Sequence, residues 1–391
     1  MLQIIIVRKF IQLNSMNIIN FIKYGKKSNS IKKIEVFCLN VEAIKDINKL
    51  ENQNFDNRKT DYTIKQLRDS IPSHFFESSL SKSLLYFFID ISILISLFSL
   101  AFWLDSIYFY PFYWVLQGTF MWSLFVVGHD CGHGSFSKYK WVNSLIGHIS
   151  HSPLLVPYHG WRISHRTHHN NTGNMDKDES WYPISKSDYD KMDSLSKFVR
   201  FKIILFVFPL YLFVRSPLRD GSHFLPSSEL FSKSEKWDII VSTFWWSSMV
   251  LTLGIFGYTF GITALINLYV IPYIIFVIWL SMVTYLHHTD IDVPWYRDSS
   301  WSFVKGALST VDRKYGFIEP IHHNIGTHVI HHIFSKIPHY NLLEANKYLK
   351  KAIEEDMYIS KQPILKALYE SYVNCTYIGD EGEKVYYSKK S

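Results

Sequence analysis

The sequence predicts an all-α integral-membrane protein, a four-span helical bundle built of two hydrophobic hairpins under a cytosolic helical cap. Three observations predict it. Hydrophobic residues make up 48% of the 391 and charged residues 19%. The apolar residues pool in two long blocks, and all 41 Lys and Arg lie outside them. Residues 239–286 run for 48 positions without Lys, Arg, Asp, Glu or His, where one crossing needs only ~20.

Each block divides at a turn signal. In residues 84–128, whose only charges are Asp90 and Asp105, the tract 105–111 is the expected turn. In the second block the turn falls at 257–261, giving crossings over 239–256 and 262–286. Two hairpins put the basic segments 1–83, 129–238 and 287–391 on one face, which the positive-inside rule makes cytosolic. The apolar stretch 203–214 contains Pro209 and is too short to cross, so it is expected to lie in or dip into the interface. Asp90 sits in the first span and receives no role from the sequence.

Composition excludes several classes. Aromatic residues reach 17%, glycines number 17, and the three cysteines, Cys38, Cys131 and Cys375, form no CxxC pair. Disorder, collagen, a disulfide scaffold and a thiolate zinc knuckle are therefore excluded. The charge of +7 is distributed as for a membrane surface, and no nucleic-acid partner is expected. Residues 1–60 read as a variable basic and polar region, 61–380 as the membrane domain and 381–391 as a polar tail. The first 34 residues hold seven Lys or Arg and no acid. They are either a targeting peptide or a low-complexity extension, with Met16 a later start.

The histidines carry the chemistry. Eight of the 18 fall into three clusters: His129 and His133 in HDCGH, His165, His168 and His169 in HRTHH, and His328, His331 and His332 in HVIHH. Residues at i, i+3 and i+4 share a helix face, so each cluster can aim its rings at one point. An HxxHH pattern arises by chance about 0.04 times in a chain with this histidine content, so its repetition needs a cause. All three clusters fall on the cytosolic side. Eight imidazoles exceed the needs of one tetrahedral zinc and match two metals with open positions. Nitrogen-rich open coordination points to iron and O2 chemistry, with zinc the alternative that spacing leaves open. A ninth nitrogen is expected from His287 or His288, or else from His322 or His323, and His288 is preferred. Asp130, Asp176, Asp178 and Glu179 are candidates to orient the rings, although a solvated acidic loop explains the last three as well. His74, His148, His151, His159, His223 and His339 are expected to be ordinary core or surface residues.

Clusters HxxxH, HxxHH and HxxHH around two apolar hairpins resemble the histidine boxes of integral-membrane fatty-acid desaturases. The strings HDCGHGSFS (129–137), VPYHGWRISHRTHH (156–169), DESW (178–181), FPLYL (208–212), GSHF (221–224), VPWYR (293–297) and HNIGTHVIHH (323–332) are similar to the methyl-end branch, especially its omega-3 members. The likeness runs from about residue 63 to 380 and makes 61–380 a desaturase domain. It implies that the eight box histidines ligate two non-haem irons, with O2 as co-substrate, and that a cis double bond is formed in an acyl chain held in a bent tunnel. The reaction implied is omega-3 desaturation of a linoleoyl-type chain, delivered as acyl lipid or acyl-CoA, with delta-12 or mixed specificity as the alternative.

No HPGG haem-binding motif occurs, so an external electron donor is expected. It would be cytochrome b5 with its NADH reductase in the endoplasmic reticulum, the location preferred, or ferredoxin in a plastid. A metal transporter is the rival from another class. Its weakness is that residues 239–286 offer a transport path no polar or ionisable group beyond Ser, Thr, Asn, Tyr and Trp.

Overall fold

The computed structural model describes residues 58–215 and 220–388. The expectations for residues 1–34, for the rest of the variable region up to residue 57 and for the last three residues of the polar tail fall outside the described residues. The described chain is mostly helical, and the long apolar runs become long helices. The first block folds into α1 (Leu80–Leu104) and α2 (Tyr110–His133), broken by Asp105 in the left-handed region at φ 42°, whose carboxylate accepts the Tyr110 hydroxyl at 2.6 Å. The helices that follow include α3 (Lys140–His151), α4 (Tyr158–Asn171) and α5 (Phe208–Val214). The second block forms α6 (Lys236–Phe260) and α7 (Ile262–His288), the latter with a wide turn at Ile266–Val270.

The second break is sharper than expected. Instead of a five-residue turn, α6 continues to Phe260 and only Gly261 intervenes, at φ +90°, a conformation that costs glycine nothing. The expected interfacial segment 203–214 is also divided, into a 3-10 turn at Ile204–Phe206 and α5, with Pro209 placed in the first turn where its missing N–H is harmless.

Among the described residues, three helices are long and apolar enough to cross a membrane: Leu80–Leu104, Lys233–Phe260 and Ile262–His288. Large apolar side chains such as Phe88, Ile95, Phe244 and Leu251 stand exposed on the first two of these. Helix α2 is comparable in length at 24 residues but is interrupted by polar and aromatic side chains. It packs against α1, α3 and α7, and every residue from Met121 to Cys131 is buried.

The fold is mostly helical, as expected, but the segment after α7 also holds a few short strands that an all-α reading leaves out. Among the described residues, three two-stranded ladders pair Trp295–Tyr296 with Lys384–Val385, Val311–Arg313 with Tyr358–Ser360, and Tyr377–Ile378 with Tyr387–Ser388. Their strands of two or three residues are too short to show a period of two. One ladder ties the cap to the bundle. Arg313, buried, donates to the Leu286 carbonyl at 2.8 Å, to Ser360 Oγ at 2.8 Å and to Asp290 at 2.7 Å. It thereby satisfies a carbonyl that the end of α7 leaves without a helical partner.

A second fixed point is Gly306. A Cβ there would lie 1.9 Å from the Thr172 carbonyl oxygen, which also accepts the Trp301 indole N–H at 2.9 Å. Gly306→Ala must push away the backbone just beyond α4. We expect a loss of roughly 1–3 kcal/mol, read as a lower thermal midpoint of the detergent-solubilised protein; an unchanged midpoint would show that this close approach is not required.

Candidate metal centre

Each histidine cluster sits on a helix end. His129 and His133 occupy the last turn of α2, His165, His168 and His169 the last turns of α4, and α8 (His328–Ile333) carries His328, His331 and His332. His288 is the last residue of α7. Asp312 fixes α8 by accepting the Val329 backbone N–H at 2.8 Å, in the first turn where such donors lack helical partners.

All eight box histidines and His288 come together as two chains of facing Nε2 atoms. In the first, His129 to His133 is 3.2 Å, His133 to His165 3.1 Å, His165 to His169 3.1 Å and His169 to His331 3.2 Å. In the second, His168 to His288 is 3.3 Å, His288 to His328 3.0 Å and His328 to His332 3.0 Å. The rings of His169 and His332 stack at 4.0 Å and join the two groups. One ligand atom from each of His129, His133, His165, His169 and His331 falls within 4.8 Å of the others, and so do those of His168, His288 and His332.

The outer nitrogens decide which way the lone pairs point. His168 Nδ1 donates to Asp178 Oδ1 at 2.7 Å. The Thr172 hydroxyl donates to the His168 carbonyl at 2.7 Å, so it accepts from His332 Nδ1 at 3.0 Å. Both rings then turn an unprotonated Nε2 inward. Burial, followed by the neighbouring imidazoles, holds His165, His169, His328, His331 and His332 well below the ordinary histidine value of 6.5. Lone pairs facing one another at such distances repel, and protons are resisted by burial. A bound cation relieves both, and a donor set made wholly of imidazole nitrogen suits a transition metal.

The remaining candidates separate. His287 Nε2 meets the Tyr315 hydroxyl at 3.1 Å and its ring stacks on His328, so it abuts the centre from outside. His322 is buried beside Trp279, and His323 donates to Asp90 at 2.8 Å. Among the acids, Asp178 orients His168 directly, and Asp130 Oδ1 faces His129 Nδ1 at 3.8 Å. Glu179 instead pairs with Arg215 at 2.6 Å, and exposed Asp176 accepts the Asp298 backbone N–H at 3.0 Å, so neither touches an imidazole. His148, His151 and His223 bond backbone carbonyls and His159 bonds Ser144, as ordinary histidines do. His339 is different, since it holds Asp130 through both its backbone N–H, 3.0 Å, and Nδ1, 2.9 Å. Thr172, Tyr315 and Asp312 escape sequence reasoning because no spacing rule marks a single hydroxyl or carboxylate that meets its partner only in the fold.

A cavity of about 440 Å³ lies against this centre. His129, His165, His168, His288 and His328 form part of its wall, and Trp122, Phe125, Val126, Phe208, Leu280 and Val283 supply an apolar lining.

A helical protein with three membrane-competent helices, a polyhistidine centre and an apolar slot beside it belongs to a recognisable class. The sequence model of the fatty acid desaturase family matches residues 105–362, and the chain belongs to that family. It is accordingly an oxidoreductase. It is 53% identical over 336 residues to the sn-1 acyl-lipid omega-3 desaturase (ferredoxin) of Nostoc sp. (strain 36), covering 86% of this chain and 94% of that one. The omega-3 fatty acid desaturase, endoplasmic reticulum, of Vigna radiata var. radiata is 45% identical, with 83% of this chain and 88% of that one covered. The sn-2 acyl-lipid omega-3 desaturase (ferredoxin), chloroplastic, of Arabidopsis thaliana is also 45% identical, with 83% and 75% covered.

Two outcomes follow from the geometry. Asp178→Ala frees His168 to turn, and metal affinity should fall roughly 10–100-fold by chelator competition; wild-type affinity would remove Asp178 from the site. The metal-free protein should also lose stability on acidification. With folded values below 6.5, neither state is protonated above that pH, whereas below it the unfolded chain takes up protons that the buried rings refuse. Its thermal midpoint should therefore drop as the pH falls through 6.5, and a rising midpoint would contradict neutral buried imidazoles.

Proposed function

We propose that this chain is an oxygen-dependent omega-3 desaturase that binds two iron ions through His129, His133, His165, His168, His169, His328, His331, His332 and His288. The observation that carries the reading is the pair of facing Nε2 chains set against an apolar cavity. Two irons held by these histidines would supply the oxidising chemistry of the reaction, in which O2, two electrons and two protons take two hydrogens from adjacent methylenes and leave a cis double bond and two waters. The protein's own contribution is placement. Trp122, Phe125, Val126, Leu280 and Val283 hold an acyl chain by apolar contact and exclude water, and the imidazoles along the wall set which methylenes lie nearest the metals. Asp178 and Thr172 keep the Nε2 lone pairs of His168 and His332 directed inward.

In this reading α2 is the fourth crossing, so that two hairpins carry all the box histidines to one face. The substrate is an acyl chain carried on a lipid, as the Nostoc relative's name, an acyl-lipid desaturase, states of that protein. The same name specifies ferredoxin, which we take as the electron donor. The Vigna radiata relative, named for the endoplasmic reticulum, favours a second reading as an enzyme of that membrane, in which cytochrome b5 would be the expected donor.

Expression in a host fed linoleate tests the function. A trienoic product is expected, and linoleate made from oleate would instead indicate delta-12 specificity. His168→Ala and His331→Ala should abolish the product and lower bound iron while the protein still inserts; wild-type activity in either contradicts its role. Reconstitution with reduced ferredoxin or reduced cytochrome b5 distinguishes the two donors.

A further inference from the structure

One buried polar network remains outside the centre just described. Asp90 lies in the apolar helix α1 and is 3% exposed. Its Oδ2 accepts the Ser123 hydroxyl at 2.9 Å and His323 Nε2 at 2.8 Å. The His323 ring packs on that of His339 at a centroid distance of 4.3 Å, and the edge of each ring meets the Tyr86 ring. His339 in turn gives two hydrogen bonds to one oxygen of Asp130. That fixes the carboxylate, whose other oxygen faces His129 Nδ1. Asp90, Ser123, His323, His339, Asp130 and His129 are all buried and come from four separate stretches of chain.

The cost of this arrangement argues that it has a purpose. A carboxylate in an apolar span is expensive and is kept where a partner and a function hold it. His323 and Asn324 also sit at φ +53° and +59°, two consecutive non-glycine residues in the left-handed region. Such backbone persists where the surroundings over-determine it, commonly beside functional sites. Here it brings His323 between Asp90 and His339, five residues before the third histidine cluster begins.

We propose that Asp90 and His323 are positioning residues for the metal centre, setting the orientation of His129 through His339 and Asp130. Each link has a distinct physics. Asp90 fixes the His323 ring by a hydrogen bond, His323 fixes the His339 ring by packing, and His339 fixes Asp130 by two hydrogen bonds. Asp130 Oδ1 then faces His129 Nδ1 at 3.8 Å, outside hydrogen-bond distance, and acts on it by charge, favouring a ring orientation that turns Nδ1 toward the carboxylate and Nε2 toward the other imidazoles. The network therefore links a residue within the bilayer-facing bundle to the first histidine of the centre. The inference rests on the functional reading above, since it presumes a metal at His129.

The test uses the full-length protein in lipid nanodiscs, loaded with Co(II), whose ligand-field absorption reports the geometry of its ligands. Asp90→Leu and His323→Leu should shift that spectrum and weaken Co(II) binding roughly 10–100-fold. Asp90→Asn keeps an oxygen that accepts from His323 and should restore most of the wild-type spectrum. Leucine variants indistinguishable from wild type in both spectrum and affinity would overturn the proposal. Should they fail to insert, His323→Asn, which removes the ring packed on His339, is read the same way, with a shifted spectrum expected and a wild-type one overturning it. Wild-type protein that takes up neither Co(II) nor iron would instead defeat the functional reading itself.

Discussion

The structure depends on bringing unprotonated imidazole nitrogens within about van der Waals distance of one another in a buried place. Left alone, that arrangement is unfavourable: the lone pairs repel, and the environment opposes the protons that could separate them. A bound cation would turn the same arrangement from a liability into a source of stability, its binding energy adding to the folding energy of the segments that carry these histidines. Much of the remaining architecture can be understood as holding four helix ends still enough for this to happen.

The holding is done by groups that do not point at the centre. Arg313 closes the end of α7 and so fixes the residues that precede His287 and His288. Asp312, its neighbour, anchors the start of α8. Thr172 bonds back to its own helix while accepting from His332 on another. These are short-range ties between elements far apart in sequence, and together they set the angles at which three clusters and one extra histidine meet. Outside them the demands relax, as the exposed apolar side chains of α1 and α6 need only be greasy.

What the sequence made legible follows the same division. Helical spacing within HDCGH, HRTHH and HVIHH shows that each cluster shares a face, and the long uncharged runs show where helices lie. The end of the fourth expected span pointed to His287 and His288 together, and only the fold turns His288 Nε2 toward His168 and His328 while His287 meets Tyr315. The role of Asp178 could be named but not separated from that of Glu179, since both belong to one acidic string and only the fold sends one to His168 and the other to Arg215. Thr172, Tyr315 and the His339 to Asp130 pair join residues between 28 and 209 positions from their partners, and no local pattern encodes such meetings. The small ladders stayed hidden because two residues have no periodicity to read, and the break at Gly261 was narrower than its glycine-rich surroundings suggested.

Helix α2 lies within the bundle, and this releases it from the uniform greasiness that contact with lipid would impose. It can thus afford Gln117, Thr119 and Ser123 on the way to His129 and His133. A hydropathy profile rewards the outer helices, and in this chain the long helix that such a profile passes over is the one that carries the first histidines of the cluster.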